Sequence, residues 1–594
     1  MNEPTLLGEV ISVAGSSLLI ELTPHVSSGL LIIGGKVYKI GQVGSFVRIP
    51  QGYNDLYGVI SETSESALLN DKEISVDKRT VRVELVGESI GNEFERGIGQ
   101  FPNIKDEAHI VTEKDLLKIY GGVKGNQIKI GKLSSSDSID VTVDLDSLVN
   151  RHSALLGSTG AGKSTSVASL LRSIVSDEQG KIVRPSSRVV LFDLHGEYST
   201  ALSDIATIYS INPSTNESPL FIPYWCVNPE SLIDFLCGPN ENLRNVFLDK
   251  IVIEKRRFVE ENGIVFDVEK ITPYTPFPFR LRHIWYELCF EDSVTWVEKE
   301  KKTPNYISKG DPIKLEAPIF KPADTTKESL SVKGGLVGWK KQLTLMRSRL
   351  LDSQYSFFLN PGPWDLGNDY KLVSDLDVLI NNWIGLQKPI TIIDLSGLPS
   401  ARLDLLLGSA LDVLYEAALW SKNQSEGMKE IPLLLVLEEA HKYLSNEFNG
   451  LAKSMVRRIV KEGRKFGVGA MLVSQRPSEI DETILSQCGT LFALRINNAT
   501  DRGRVKSAMS DSLSGIVDSL PILRTGEAII TGEAVRLPIR CKFKTPQDNQ
   551  FPDSRDPKVN DQWSKAYSEN KFANLLNAWR LQNPLNDKES KETR

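Results

Sequence analysis

No apolar run in these 594 residues reaches the roughly 18 to 20 needed to cross a bilayer. The opening stretch, Met1 to Val10, has neither the basic start nor the long apolar segment of a signal peptide. Five cysteines, Cys226, Cys237, Cys289, Cys488 and Cys541, lie scattered with no CxxC pair, so neither a zinc site nor a disulfide framework is indicated. A cytoplasmic protein without membrane association is the expectation. A basic excess is also missing, since 70 Lys and Arg against 76 Asp and Glu give a formal net charge of −6. That argues against a chain that coats DNA with its whole surface, but not against one that keeps its basic residues in a central channel.

What is present is the composition of an ordinary soluble protein, 40% apolar and 25% charged, in a chain too long for one core. The first part, 1–146, alternates short β-branched runs with glycine: Gly8 to Val13, Ser17 to Leu22, Leu30 to Gly35, Lys36 to Ile40 and Val81 to Val86. Several such strands at close spacing predict a small β-barrel. From 147 to 545 the pattern changes to buried apolar strands alternating with helices, which predicts an α/β core with a mainly parallel, doubly wound sheet. Its strands are expected at Ser153–Leu156, Val189–Phe192, Ile390–Ile393, Leu433–Leu437, Gly469–Val473 and Leu491–Ile496, with a helix from Ser164 to Val175. A helical subdomain is expected inserted at about 225–350, with helices over Ser231–Glu260 and Val337–Leu351. The stretches Glu298–Lys302 and Pro312–Pro322 are expected to be loops. The polar tail, 546–594, should carry one amphipathic helix through Trp563, Tyr567, Phe572, Leu575 and Trp579.

The strongest chemical signal joins the first strand to its helix. Gly157, Ser158, Thr159, Gly160, Ala161, Gly162, Lys163 and Ser164, followed by Thr165, fit G-x-x-x-x-G-K-[ST]. Glycines let backbone N–H groups curl around a polyphosphate, and the helix start adds a favourable dipole. In this motif Lys163 pairs with the β- and γ-phosphates of ATP and the Ser164 hydroxyl binds Mg²⁺.

A P-loop needs carboxylates at a neighbouring strand end, and Leu433–Leu437 runs into Glu438, Glu439, Ala440 and His441. Glu438 is the candidate to hold the metal and Glu439 to polarise the attacking water; His441 is read as support for the loop. Two more strand ends point to the same place, because ligands of open α/β sheets gather outside the carboxyl ends of the strands. Asp193 and Glu197 follow the second strand and could order the metal's water shell; Gln475 follows the fifth and could sense the γ-phosphate. Each of the three could instead cap a neighbouring helix or turn. An arginine, frequently from a neighbouring subunit, commonly neutralises the transferring phosphoryl. Arg464 is the candidate, with Arg151 as a second contributor and a solvated basic helix face as the alternative.

Taken in order, these elements resemble the HerA branch of the HerA/FtsK ATPases. The resemblance rests on the P-loop through Thr165, on Asp193 to Tyr198, on Glu438 to His441, on Ser474 to Pro477 and on Leu520 to Gly532. Leu194 stands where the family has proline, a departure that leaves the acidic and histidine positions intact. The resemblance implies a RecA-like core and a homohexameric ring with ATP sites between subunits. Arg464 and Arg151 would act across that interface, and double-stranded DNA would thread the pore. Residues near the helical insertion and the run Arg502, Arg504, Lys506 are candidates for the pore lining. It also implies a partner, either a NurA-like or other nuclease in DNA end processing or a nuclease or sirtuin-like NADase in phage defence. A scaffold ATPase that gates its partner with little DNA movement is the alternative reading.

Overall fold

The structure, a computed structural model, describes residues 5–581 apart from 25–29, 34–35, 40, 42, 67–77, 92, 121–125, 135, 299, 324–331, 334–337, 386–387, 397, 399, 448, 510–516, 555–558 and 566–571. Alternation of inward and outward residues closes the first hundred into a barrel. Six antiparallel strands, Leu6–Ala14, Ser17–Leu22, Phe46–Gln51, Asn54–Ser66, Lys78–Ile90 and Glu107–Ile110, form a ring that shuts where Ser17–Leu22 pairs with Lys78–Ile90. Val10, Leu18, Ile20, Val47, Ile49, Val81 and Val83 fill its interior, and closure leaves the ring no open edge. The runs Leu30–Ile33 and Lys36–Lys39, expected as barrel strands, pair with each other outside the ring. Gly34, Gly35 and Ile40 lie outside the described residues.

The core is a sheet of twelve strands. Its parallel block reads, from one side, Thr490–Ala493, Ser153–Leu156, Val468–Ser474, Leu433–Leu437, Arg188–Asp193, Ile390–Asp394, Ala206–Ser210 and Ser218–Pro219. Four antiparallel strands extend the sheet beyond Thr490–Ala493: Glu527–Gly532, Ile539–Phe543, Gln127–Leu133 and Ser136–Asp144. The last two correct the reading that assigned everything to residue 146 to the barrel, because Gly131–Leu133 hydrogen-bonds with Cys541–Phe543 and so belongs to the core sheet. Successive strand residues face opposite sides. Thus Leu433, Leu435 and Leu437 pack with helices Ser400–Trp420 and Leu451–Glu462, whereas Leu434 and Val436 pack with helix Lys163–Val175. The sixth expected strand ends at Ala493 and not Ile496, because the chain leaves the ladder there to run beside the P-loop, where Arg495 O accepts from Ser158 N at 2.9 Å.

Between Ser218–Pro219 and Ile390–Asp394 the chain is mainly helical. The helix expected over 231–260 is two, Pro229–Cys237 and Glu241–Glu261, broken at Gly238, whose φ of 76° suits glycine. Helical elements continue past 350 through Ser356–Leu359 and Leu376–Ile384, whose Phe357, Phe358, Leu379 and Trp383 join the apolar cluster of the earlier helices; the insertion is longer than the sequence suggested. Inside it, buried Glu254 accepts from Arg280 Nε at 2.9 Å and Nη2 at 3.1 Å. Ile319–Phe320, expected within a loop, pairs with Tyr306–Ser308, the Phe320 ring stacking on Tyr306. Val337 lies outside the described residues, and the following helix is Lys340–Leu351. In the tail, two short helices, Val559–Trp563 and Ala573–Leu581, replace the single one expected; Tyr567 lies outside the described residues.

Leu435 sits fully buried at the middle of the sheet. Leu435→Ala is expected to lower core stability by about 2–5 kcal/mol, seen as a lower urea midpoint by far-UV circular dichroism.

Candidate active site

Strand order fixes the site. The P-loop strand Ser153–Leu156 and the strand leading to Glu438 are not neighbours; Val468–Ser474 lies between them. Adjacent strands are about 4.8 Å apart, so the lysine and the carboxylates arise about 10 Å from each other. Gln475, at the end of the intervening strand, is set between them.

The loop from Gly157 is tied to both flanking strands, with Gly157 N donating to Ser474 O at 3.1 Å and Ser158 N to Arg495 O at 2.9 Å. Gly162 has φ 86°, and a Cβ there would stand 3.0 Å from Gly526 N, so both the conformation and the close approach require glycine. Gly162 also caps helix Lys163–Val175 with no side-chain hydrogen bond, so no side chain of the cap blocks the first-turn amides. Those amides are donors suited to an anion.

Lys163 Nζ donates to Glu439 Oε1 at 2.6 Å, the two side chains being 7% and 1% exposed. Gln475 Nε2 donates to the same oxygen, and Gln475 Oε1 accepts from Thr159 Oγ1 at 2.6 Å. Four predicted residues therefore form one chain of contacts. Burial would raise the Glu439 carboxyl, but the Lys163 charge and the bonds from Lys163 and Gln475 win and hold it below its ordinary range. Glu439 has φ 46°, a left-handed conformation uncommon outside glycine. His441 Nδ1 lies 3.2 Å from both Ser474 Oγ and Glu439 Oε2, and burial lowers its pKa, so it supports the turn as a neutral ring.

Glu438 is buried differently. Its Oε1 accepts from Tyr198 OH at 3.1 Å and its backbone O from Tyr443 OH at 2.9 Å, while Oε2 is buried with no partner. Burial first, then the Asp193 charge, push its pKa well above the ordinary carboxylate range. A buried oxygen of this kind calls for an explanation, and a divalent cation or its bound water supplies one; the donor set fits Mg²⁺. Glu197 Oε2 is likewise buried and partnerless, so Glu197 adds charge beside Glu438. Asp193 behaves otherwise. Its two oxygens accept from His195 N at 3.1 Å, Gly196 N at 2.8 Å and Tyr198 N at 2.9 Å, so it caps the turn that carries Glu197 and Tyr198.

Arg464 and Arg151 are not brought to this site. Both precede their strands, Val468–Ser474 and Ser153–Leu156, and so sit at the amino edge of the parallel block, opposite the P-loop. Arg464 is exposed, and its side chain makes no hydrogen bond or ion pair among the described residues; Arg151 pairs with Glu533. His152, next to Arg151 in the chain, accepts from Ala470 N at 3.1 Å. Its pKa falls to about 4, mainly through burial and with help from the Arg464 charge, against a backbone hydrogen bond. Of the pore candidates, Arg502 donates to Asn497 O at 2.6 Å and Arg504 pairs with Glu482 at 3.0 Å, both on helix Ala499–Ala508.

Sequence reasoning missed three contributors. Tyr198 and Tyr443 are fully buried phenols on Glu438, and Arg495 Nη2 donates to the Gly160 carbonyl at 2.9 Å. Tyr198 closes the Asp193 to Tyr198 signature, where a phenol is a ready donor to a buried carboxylate. Arg495 carries no local signal, because only the parallel pairing of its strand with Ser153–Leu156 brings it to the loop.

Breaking a buried ion pair by removing one member leaves an uncompensated charge. Lys163→Met is expected to cost about 3–5 kcal/mol of stability, and the double variant Lys163→Met, Glu439→Gln to recover most of it in thermal unfolding; equal losses in both would contradict the pairing.

Comparison with known proteins points the same way as the geometry. Residues 128–412 match the family model of the HerA helicase central domain, and 413–536 that of the HerA-like C-terminal domain. The "DNA double-strand break repair helicase HerA" of Sulfurisphaera tokodaii is 28% identical over 471 residues, covering 79% of this chain and 78% of that protein. The protein of the same name from Pyrococcus furiosus is 28% identical over 517 residues, covering 82% and 81%. Among solved structures, VirB4 of Thermoanaerobacter pseudethanolicus aligns with 72% of this chain and 98% of its own at 16% identity and a TM-score of 0.43. With the two HerA models covering its core end to end, the chain belongs to the HerA-type P-loop ATPases.

Proposed function

We propose that this chain is the motor subunit of a homohexameric ring that hydrolyses Mg²⁺–ATP to move along or unwind double-stranded DNA. The observation that carries the reading is the contact chain Thr159, Gln475, Glu439, Lys163, laid across three strand ends of a HerA core. The break-repair helicases among its relatives support duplex DNA as the track.

Lys163 is the residue that would meet the β- and γ-phosphates, giving up Glu439 as it does so. Glu439, relieved of its cation, would polarise the attacking water, with Gln475 between it and the P-loop to register the γ-phosphate. Ser164 and Glu438 would hold Mg²⁺, which when bound neutralises charge building on the phosphate oxygens. Amides of residues 158 to 165 would cradle the phosphates. Arg464, with Arg151 beside it, would serve the site of the next subunit, since its own P-loop lies across the sheet. Basic residues of the pore would hold DNA through phosphates, so binding would be salt-dependent and indifferent to sequence.

The repair helicases among the relatives favour DNA end processing, with a NurA-like or other nuclease as partner; phage defence beside a nuclease or a sirtuin-like NADase is the reading to test against it. Pull-down from the native host separates them by which enzyme accompanies the ring.

The motor is tested by ATPase assays with and without duplex DNA. The intact chain is expected to be stimulated by duplex, and Lys163→Ala to lose turnover at least a hundredfold; normal turnover in that variant would overturn the site assignment. For Arg464→Ala mixed into wild-type rings, activity is expected to fall faster than the mutant fraction rises. A linear fall would place the arginine outside the neighbour's site.

A further inference from the structure

We propose that Tyr198 is a positioning residue for the metal, its phenol holding one oxygen of Glu438 so that the other is presented to the cation. This rests on the Mg²⁺–ATP reading above and deepens it. The phenol hydroxyl donates to Glu438 Oε1 at 3.1 Å. A phenol can donate only once, so its proton is committed to Glu438. The consequence is directional. Glu438 Oε1 is occupied, which leaves Oε2, buried and partnerless, as the oxygen on offer.

The phenol is itself held in place. Its ring is fully buried in the cluster that packs beneath the sheet with helix Lys163–Val175. Its backbone N–H is fixed by Asp193 at 2.9 Å, and the preceding carbonyl, Glu197 O, accepts from Asp553 N at 2.9 Å, a bond made by the tail as it returns across the core. Asp193 is spent on three loop amides, and what that arrangement achieves is to aim Tyr198. Residues that orient a metal's ligands in this way commonly change metal affinity by about 10- to 100-fold when removed.

The probe is Mn²⁺ titrated into the full-length protein with a non-hydrolysable ATP analogue, read by electron paramagnetic resonance. Tyr198→Phe is expected to weaken Mn²⁺ by about 10- to 100-fold; wild-type Mn²⁺ affinity in Tyr198→Phe overturns the proposal. Because that variant also strips a buried carboxylate of its donor, a second measurement leaves the fold untouched. With 3-fluorotyrosine at position 198, the ¹⁹F resonance is expected to broaden with Mn²⁺ and analogue but stay sharp with Mg²⁺; a resonance unmoved by Mn²⁺ overturns the proposal. If the wild-type chain takes up no analogue in either experiment, the nucleotide reading itself fails, a result distinct from normal uptake with no role for the phenol.

Discussion

The ion pair between Lys163 and Glu439 is the constraint around which the site is arranged. Each charge is buried almost completely, and removing such a group from water costs several kcal/mol unless a partner repays it. Neither side chain can therefore be considered alone. The pair spans two strand spacings, from the helix after Ser153–Leu156 to the turn after Leu433–Leu437, and it crosses the end of the strand between them. That geometry requires an unbranched, four-carbon cation on one side and a carboxylate thrown forward on the other. The left-handed φ of Glu439 provides the second. Backbone strain of this kind costs about 1–3 kcal/mol and persists where the surroundings determine it; here the surroundings are Lys163, Gln475 and His441.

On the proposed reading, the same pair governs the response to nucleotide. Lys163 can leave Glu439 only for another anion, and the uncapped helix start beside it is where an anion gains most. Once the lysine turns, Glu439 keeps Gln475 as its donor and loses the charge that held its carboxyl low, which makes it a better proton acceptor. The chain of contacts from Thr159 through Gln475 thus joins the P-loop to the residue proposed to polarise the water. Glu438 is kept apart from this exchange by Tyr198 and Tyr443, which would hold it toward the proposed metal instead. Two adjacent glutamates consequently have opposite environments, one lowered by a cation and the other raised by burial and Asp193.

The parts of this arrangement that depend on near neighbours in the chain are legible in the amino-acid sequence itself. The P-loop, its flanking strand and helix, and the carboxylates after an all-apolar strand are local patterns whose physics is complete within a dozen residues. The Gly238 break is equally local, a Gly-Pro dipeptide that the helical periodicity around it masks. What the sequence hides is set by distant pairing. Residues 127–144 look like further barrel strands because alternation cannot say which sheet a strand joins; the hydrogen bonds to 541–543 decide it. Arg495 looks like the tail of a strand, yet the P-loop claims its backbone. Asp193 looks by its position as if it could order a metal's water shell, and only the three amides converging on it show that it caps its own turn.

The placement of the basic residues bears on the proposed assembly. Around its own P-loop the chain supplies Lys163, committed to Glu439, and Arg495, committed to the Gly160 carbonyl. The guanidinium of Arg464, without a hydrogen bond or ion pair among the described residues, stands at the other edge of the sheet, separated from that P-loop by the length of the strands, at about 3.3 Å per residue. A seven-residue strand cannot be bridged by a side chain. If that guanidinium is to meet phosphates, they must be those of a chain whose carboxyl edge faces this chain's amino edge. A head-to-tail contact of that type, repeated with a rotation that closes, generates a ring.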